Sequence, residues 1–246
     1  MGNGEGPAPL TPLKGMILMG KNPKVFIDGK GGVVGARLYE QLSRRSDLDF
    51  LIIDPEKRRD VEERRKLLNE ADLAILCLPE ETAAQAVELV DNPNTRIIDT
   101  SPAHRTTPGW VYGFAELLPG QRQRIRFSKR VANPGCHASG FLSTVAPLVQ
   151  MGMLPPDYPV SCFSITGYSG GGKDMIAEFE DPNRDPALAA PALYSLELRH
   201  NHLNEMQHIA GLEYPPVFVP ILSDMYSGMA TSVTLQNRLL RGTPTA

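Results

Sequence analysis

A glycine-rich turn between a short apolar strand and a helix constrains the fold of this chain more than any other feature. Residues 25–27 are β-branched or aromatic, residues 29–35 contain four glycines, and apolar residues recur at helical spacing over 36–42. Glycines at 29, 32 and 35 permit a tight turn and the close approach of a pyrophosphate, whose charge would meet the amide end of the helix. The pattern predicts a dinucleotide-binding unit.

Strand and helix patterns then alternate up to about residue 99. The sequence predicts strands at 51–53, 73–78 and 96–98 and helices at 56–70 and 82–90. Thr82 is the predicted N-cap of the second of these helices. The charge-rich segment 56–70 is predicted to be a solvated helix in which Asp60 pairs with Arg64. The alternation predicts an α/β fold with a Rossmann-type, doubly wound parallel sheet.

The regular alternation of strand and helix patterns ends at Asp99. Proline and glycine recur, helices become fewer, and alternating segments occur around 160–165 and 217–222. We therefore predict a mixed α+β domain for substrate binding and dimerisation. The expected organisation is a flexible tail at 1–23, a dinucleotide-binding domain at 24–135 and a catalytic domain at 136–246.

Composition excludes several classes of protein. The 246 residues carry a net charge of −3, which argues against a nucleic-acid partner. The longest apolar run, 73–78, is far shorter than the ~20 residues that span a membrane. Three cysteines, an odd number, favour a reduced, cytoplasmic setting. The exposed sheet face expected of the second domain favours a homo-oligomer.

Cys136 is the candidate nucleophile. It follows Asn-Pro-Gly and precedes the helical pattern of 141–149, so we expect it in the first turn of a helix, whose dipole would lower the thiol pKa. An inert thiol in a capping turn is the alternative. Cys77 and Cys162 lie in strand-like runs and are predicted core residues.

Three further segments carry chemistry. The segment 199–208 holds three histidines whose spacing matches no known zinc-binding motif. Either they are surface residues, or one of them is the proton-accepting partner of the cysteine. Segment 167–174 nearly spells a P-loop, but Asp174 replaces the magnesium-binding hydroxyl, so a flexible loop presenting Lys173 to an anionic substrate is preferred. In 99–106, Arg105 either grips a phosphate or carboxylate or is a solvated loop residue.

The choice between NAD and NADP stays open on local chemistry. Asp54 follows the second predicted strand and suits a ribose 2′-hydroxyl, whereas Lys57, Arg58 and Arg59 suit a 2′-phosphate.

Taken together, these segments resemble the N-acetyl-γ-glutamyl-phosphate reductases, specifically their shorter second type, and more distantly aspartate-semialdehyde dehydrogenases. The likeness runs from about Lys24 to the end of the chain. It rests on VFIDGKGGVVG, on the segment from ADLAILCLPEE to VYGF, and on RVANPGCHASGF, GYSGGGKDMIAEFE, HNHLNEMQ and PPVFVPILSDMYSGM. Asn204 stands where the family usually has proline, and Val33-Val34 replaces a common Thr-Thr. Because the family continues beyond the position of Ala246, we expect that the chain lacks a C-terminal portion.

The resemblance implies NADPH-dependent reductive dephosphorylation of an acyl phosphate to an aldehyde, in arginine biosynthesis. It makes Cys136 the nucleophile that forms a thioester, His202 a proton carrier with an ordinary pKa near 6.5, and Glu205 the acid of the same motif. No metal is implied. The implied NADP contacts are Gly29, Gly32, Val33, Val34, Gly35 and Arg58, and the implied substrate contacts are Ser101, Arg105 and Lys173.

Two other functions remain open at this point. One is an aspartate-semialdehyde-type dehydrogenase that acts on another acyl phosphate through the same nucleophile. The other is a catalytically inactive NADP-binding protein.

Overall fold

The N-terminal half of the chain is built on a six-stranded parallel sheet. The computed structural model describes residues 21–242, so the predicted tail lies almost entirely outside the described residues. The strands are Lys24–Asp28 (β1), Asp49–Leu51 (β2), Leu73–Leu76 (β3), Arg96–Asp99 (β4), Val111–Tyr112 (β5) and Arg130–Ala132 (β6). Their order is β2-β1-β3-β4-β6-β5, and every pairing is parallel. The predicted doubly wound parallel sheet is confirmed.

Helices cover both faces of this sheet. They are Val33–Leu42 (α1), Val61–Glu70 (α2), Glu80–Glu88 (α3) and Gln121–Phe127 (α4). On one face, Phe26 and Ile97 pack against Leu68 of α2 and Ala86 of α3. On the other face, the strand residues pack against α1. Each large side chain buried in this way stabilises the fold by about 1.5–3 kcal/mol.

Two sequence predictions about helix starts need correction. α1 begins at Val33, so Gly35 belongs to its first turn and does not precede it. α3 begins at Glu80 with Pro79 at the N-cap, so Thr82 lies inside the helix and is not its cap. Proline favours a helix start because it lacks an N–H that would go unsatisfied there.

The charged segment before β3 is not simply a solvated helix. Arg64 is 8% exposed, and its Nε and Nη2 donate to the Asp28 carboxylate at 3.0 and 2.8 Å. Asp60 does not pair with Arg64; it caps α2 by accepting from the amides of Glu62 and Glu63. The predicted pairing is wrong because α2 turns Arg64 toward the end of β1.

The C-terminal half is a mixed sheet packed on helices, as predicted. Its strands are Ser161–Gly167 (β7), Ala192–Leu193 (β8), Val217–Ser223 (β9) and Met229–Thr234 (β10), in the order β10-β7-β9-β8. Only β7 and β9 pair in parallel. The helices are Cys136–Gln150 (α5), Lys173–Glu180 (α6) and His202–Ala210 (α7). The exact boundary between two domains stays a prediction.

The two faces of this second sheet differ. Cys162 and Phe218 point inward and pack with Phe141 of α5 and Met206 of α7. On the outer face, Phe163, Ile165 and Val217 are 46%, 38% and 59% exposed. Among residues 21–242, nothing covers this apolar sheet face.

Within residues 21–242, none of the helices is both long enough and apolar enough to cross a bilayer.

Candidate active site

Cys136 is the first residue of α5, as the sequence predicted. The chain leaves β6, passes through an extended Gly135 at the N-cap and enters the helix at Cys136. The Cys136 side chain is exposed to a cavity of about 550 Å³, whereas Cys162 is buried and Cys77 is partly buried. Only Cys136 among the three thiols therefore faces this cavity.

The predicted low pKa of Cys136 is not found. Desolvation by the groups packed around the cavity raises the thiol pKa; the amides of His137 and Cys136 and the charge of Arg105 oppose this rise, and the net shift is upward. Burial likewise raises the pKa of Cys77 and of Cys162 to about 11. A helix N-terminus offsets only part of the desolvation of a thiolate, and a low pKa would require a further positive partner.

Glu205 links α7 to the turn before Cys136. Its Oε2 accepts from the Gly135 amide at 3.1 Å and from the Tyr112 hydroxyl at 2.6 Å, and its Oε1 accepts from Arg105 Nη1 at 2.6 Å. The side chain is 1% exposed. Burial raises its pKa, and Arg105, Tyr112 and Gly135 oppose that rise. With both oxygens occupied, Glu205 is arranged to hold Gly135 in place.

Arg105 and Ser101 lie behind the cavity and are not part of its lining. The Arg105 guanidinium donates to Glu205 and to the carbonyls of Asn133 and Thr100. Ser101 is buried, and its hydroxyl donates to Asp99 at 2.8 Å. The structure thus does not bring these two predicted substrate contacts to the wall that holds Cys136.

His200 and His202 both line the cavity. His202 Nε2 lies so close to Gly135 that a Cβ there would stand 2.5 Å from it. Among residues 21–242, His202 Nδ1 has no hydrogen-bond partner. His200 Nδ1 accepts from the His202 amide at 3.1 Å, so neutral His200 carries its proton on Nε2. His202 is the one whose Nε2 faces the turn before the cysteine.

The ordinary pKa expected for His202 is wrong. Burial, followed by the charges of His200 and Arg105, lowers the pKa of His202 to about 2. Burial also lowers the pKa of His200. Both rings are therefore neutral near pH 7, and each has one ring nitrogen that can accept a proton.

Among the residues that line the cavity, the sequence assigned no role to His137, Tyr194 or Arg199. His137 and Arg199 adjoin residues that were singled out, so adjacency was an available signal. For Tyr194 the sequence offered no signal, because it reaches the cavity only through the pairing of β8 with β9, two segments distant in sequence.

The glycine turn fits a dinucleotide. Gly29 has φ +86°, and a Cβ on Gly35 would overlap the Gly29 carbonyl oxygen. Gly31 has open space around it, so a ligand can approach the backbone at the start of α1. A second cavity of about 480 Å³ adjoins this turn, and its lining is Val33, Val34, Arg37, Leu38, Gln41, Ser169 and Gly170. Because Gly170 lines both cavities, the two are neighbours.

Arg58 and Lys173 are both exposed. Arg58 ends a short 3-10 turn after β2, and the Asp54 carboxylate caps that turn by accepting from the Glu56 amide. Lys173 is the first residue of α6, after a 3-10 turn that replaces the flexible loop expected for 167–174. Lys173 is not among the residues that line the Cys136 cavity. The structure does not bring Lys173 to the wall of that cavity.

Asn204, found where the resemblance leads one to expect proline, has a contact of its own. Its Nδ2 donates to Thr106 Oγ1 at 2.8 Å and so ties α7 to the segment that carries Arg105.

Among residues 21–242, no three or more potential metal ligands lie close enough together to bind an ion.

Comparison with known proteins places both halves of the chain in one family. Residues 24–125 match the semialdehyde dehydrogenase NAD-binding domain, and residues 136–243 match the semialdehyde dehydrogenase dimerisation domain. Aspartate semialdehyde dehydrogenase II of Vibrio cholerae has the same fold, with a TM-score of 0.62 at 17% identity over 87% of this chain and 74% of that one.

Curated relatives are considerably more similar in sequence. N-acetyl-gamma-glutamyl-phosphate reductase 2 of Nostoc is 42% identical over 87% of this chain and 67% of its own length. N-acetyl-gamma-glutamyl-phosphate reductase 2 of Pseudomonas putida is 46% identical over 89% of this chain and 70% of its own length. The chain therefore belongs to the N-acetyl-gamma-glutamyl-phosphate reductases, within the semialdehyde dehydrogenase family.

Proposed function

We propose that the chain reduces N-acetyl-γ-glutamyl phosphate to N-acetylglutamate semialdehyde with NADPH, in arginine biosynthesis. The carrying observation is that Cys136, at a helix start beside His202, faces a cavity that adjoins the one along the glycine turn. A nucleophile and a nicotinamide site on neighbouring cavities are what an acyl-phosphate reductase needs.

The first half-reaction uses the thiol of Cys136. The negative charge of the bound acyl phosphate would raise the pKa of His202, and the thiol proton passes to His202 Nε2 as the sulfur attacks the acyl carbon. The carbon–sulfur bond forms, the carbon–oxygen bond to phosphate breaks, and inorganic phosphate leaves with the electron pair. A thioester on Cys136 retains the electrophilic carbonyl that reduction requires.

The second half-reaction regenerates the thiol. Gly29, Gly32, Val33, Val34 and Gly35 would hold NADPH, with Arg58 at its 2′-phosphate, and the bound cofactor would be the source of the hydride that reduces the thioester. The carbon–sulfur bond then breaks, the carbonyl re-forms as the aldehyde, and Cys136 takes back the proton from His202. The raised pKa of Cys136 favours this return to the thiol.

Positive groups near the cavity suit an anionic substrate. Arg199 belongs to the cavity wall, and Lys173 lies at the start of α6, after the 3-10 turn of 168–171. Arg105 and Ser101 support the site from behind, Arg105 through its ion pair with Glu205. We assign substrate binding to Arg199 ahead of Arg105, Ser101 and Lys173, because only Arg199 among these four lines the cavity that holds Cys136.

Assembly and location follow the same proposal. The match to a dimerisation domain supports a homo-oligomer, and we assign its interface to the exposed face with Phe163, Ile165 and Val217. Three free cysteines suit the reducing cytoplasm.

A paired assay tests the proposed function. We expect NADPH oxidation with N-acetylglutamyl phosphate and at least about 100-fold slower oxidation with aspartyl phosphate. A site that hydrogen-bonds the acetamido group of the first substrate leaves those polar groups unpaired with the second, which lacks it. Cys136→Ser should abolish turnover and keep NADPH binding, measured by fluorescence, while Cys162→Ser keeps both. Turnover by Cys136→Ser would refute the thioester route.

The raised thiol pKa favours one alternative, an inactive NADP-binding protein. Iodoacetamide alkylation of Cys136 across pH, in the wild type and in His202→Asn, separates the two. In an enzyme His202 should assist removal of the thiol proton, so His202→Asn should be alkylated more slowly near pH 7, whereas in an inactive protein the two rates should agree.

A further inference from the structure

His137 joins two hydroxyl groups across the site. It is the second residue of α5, its side chain is 2% exposed, and both ring nitrogens are engaged. Nδ1 lies 2.7 Å from Ser164 Oγ on β7, and Nε2 lies 2.7 Å from Tyr194 Oη just beyond β8. Distances this short indicate well-formed hydrogen bonds.

The ring is neutral, which couples the two hydroxyls. Its neighbours are the rings of His200, His202 and Phe218, with centroids 5.6, 5.6 and 5.2 Å away. Burial and the charge of His200 lower the pKa of His137 to about 4. A neutral imidazole donates from one nitrogen and accepts at the other. The direction of the Ser164 bond therefore fixes the direction of the Tyr194 bond.

The chain of hydroxyls extends one step further inward. Thr231 Oγ1 on β10 lies 3.0 Å from Ser164 Oγ. In one direction, Thr231 donates to Ser164, Ser164 donates to Nδ1, and Nε2–H donates to the Tyr194 oxygen. The phenolic proton is then free to bond an acceptor in the cavity. In the opposite direction the Tyr194 hydroxyl donates its proton to His137 Nε2, so no phenolic donor is left for a ligand in the cavity.

The main chain around Tyr194 is held in an unfavourable conformation. Ser195 has φ 52° and Leu198 has φ 59°, the only non-glycine residues with positive φ in residues 21–242. Such conformations are energetically unfavourable for residues with a side chain and cluster at functional sites. Tyr194 lies in the same cavity lining as Cys136. The fold thus retains a strained segment that carries this hydroxyl.

We propose that His137 is a positioning residue, which fixes the Tyr194 hydroxyl as a hydrogen-bond donor to the substrate oxygen at Cys136. The inference rests on the proposed function, because an acyl phosphate or thioester offers only acceptor oxygens there. Tyr194 would stabilise the negative charge that develops on the carbonyl oxygen during both half-reactions.

Four variants form the test. Tyr194→Phe removes the donor, His137→Phe keeps the ring volume without hydrogen bonds, and the double variant combines them. His137→Gln keeps a polar atom near the position of Nε2. Thermal unfolding establishes that each variant is folded, and kcat and KM are measured with N-acetylglutamyl phosphate.

If His137 acts through Tyr194, the two changes are not additive. Each single variant should lose about 100-fold in kcat, as expected for one donor to an oxyanion, with KM changed by less than about 3-fold. The double variant should be no worse than Tyr194→Phe, and His137→Gln should recover at least about 10-fold over His137→Phe. Multiplied losses in the double variant would overturn the proposal.

A second measurement does not depend on turnover. The chain has five histidines, so the ring signals of His137 can be assigned by ¹⁵N NMR through comparison with His137→Gln. We expect a proton on Nε2 from pH 5 to 8, and a shift of that signal in Tyr194→Phe. A proton on Nδ1 would overturn the proposal even if His137→Phe did not fold. If Cys136→Ser stays active, the thioester route fails instead, whatever the state of His137.

Discussion

At the scale of single residues, Gly135 shows how tightly the site is assembled. A Cβ at this position would overlap Glu205 Oε1 and stand 2.5 Å from His202 Nε2. Gly135→Ala should therefore push α7 from the start of α5 and lower kcat by at least about 100-fold, because small misplacements cost that much. Steady-state kinetics on folded protein checks this. Ser143→Ala, an exposed change on the same helix, is the control and should leave kcat unchanged; equal kinetics for both variants would contradict the prediction.

The neutral state of His202 has a measurable effect on stability. Its folded pKa of about 2 lies below the ordinary 6.5, so the unfolded chain takes up a proton first as the pH falls. His202 thus contributes stability above pH 6.5 that is lost at lower pH, by about 1.4 kcal/mol per pH unit. Asp28 and Glu205 act in the opposite sense, because burial raises their pKa values.

A single variant isolates the contribution of His202. The fall in unfolding free energy between pH 6.5 and pH 5.5, measured with urea, should be about 1 kcal/mol smaller in His202→Asn than in the wild type. Exposed His208→Asn is the matched control and should keep the wild-type slope. An unchanged slope in His202→Asn would mean that the ring takes up protons as readily in the fold as in the unfolded chain.

At the scale of elements, the turn between β1 and α1 depends on Gly35 more than on Gly31. A Cβ on Gly35 would overlap the Gly29 carbonyl, whereas a Cβ on Gly31 would meet nothing within 4 Å. Gly35→Ala should cost about 2 kcal/mol and lower Tm by roughly 4–8 °C, while Gly31→Ala leaves Tm unchanged or slightly higher. Differential scanning calorimetry compares them; similar losses in both would show that backbone freedom, and not close packing, sets the requirement.

Elements whose causes are local were predictable from the sequence. The glycine turn, the alternation up to β4 and the helix that starts at Cys136 each depend on residues within one short window. Pairings between distant segments were not predictable. Arg64 looked like a surface residue until α2 brought it to Asp28, and the Tyr194 hydroxyl reaches His137 only through the pairing of β8 with β9. The prediction that the pKa of Cys136 is lowered was wrong for the same reason, because the desolvation that raises it depends on distant segments packed around the helix start.

At the scale of the whole molecule, the outer face of the second sheet is the proposed interface between copies of the chain. Phe163 is 46% exposed at the middle of β7, and a lysine there would place a charge in the apolar face. If this face is the proposed dimer interface, Phe163→Lys should be monomeric where the wild type is dimeric, as measured by light scattering after gel filtration. Phe127→Lys alters a 77% exposed residue on α4 and should leave the dimer intact. A dimeric Phe163→Lys would exclude this face as the interface.

The edge of that sheet is weakly attached. Only Ala192 and Leu193 of β8 pair with β9, and the segment that follows carries Tyr194 and His200 into the cavity. A ladder of this length opens at far lower cost than either hydrophobic core. Under mild denaturant the pocket will come apart first, so a sample can keep the circular dichroism of the native protein after its turnover is gone.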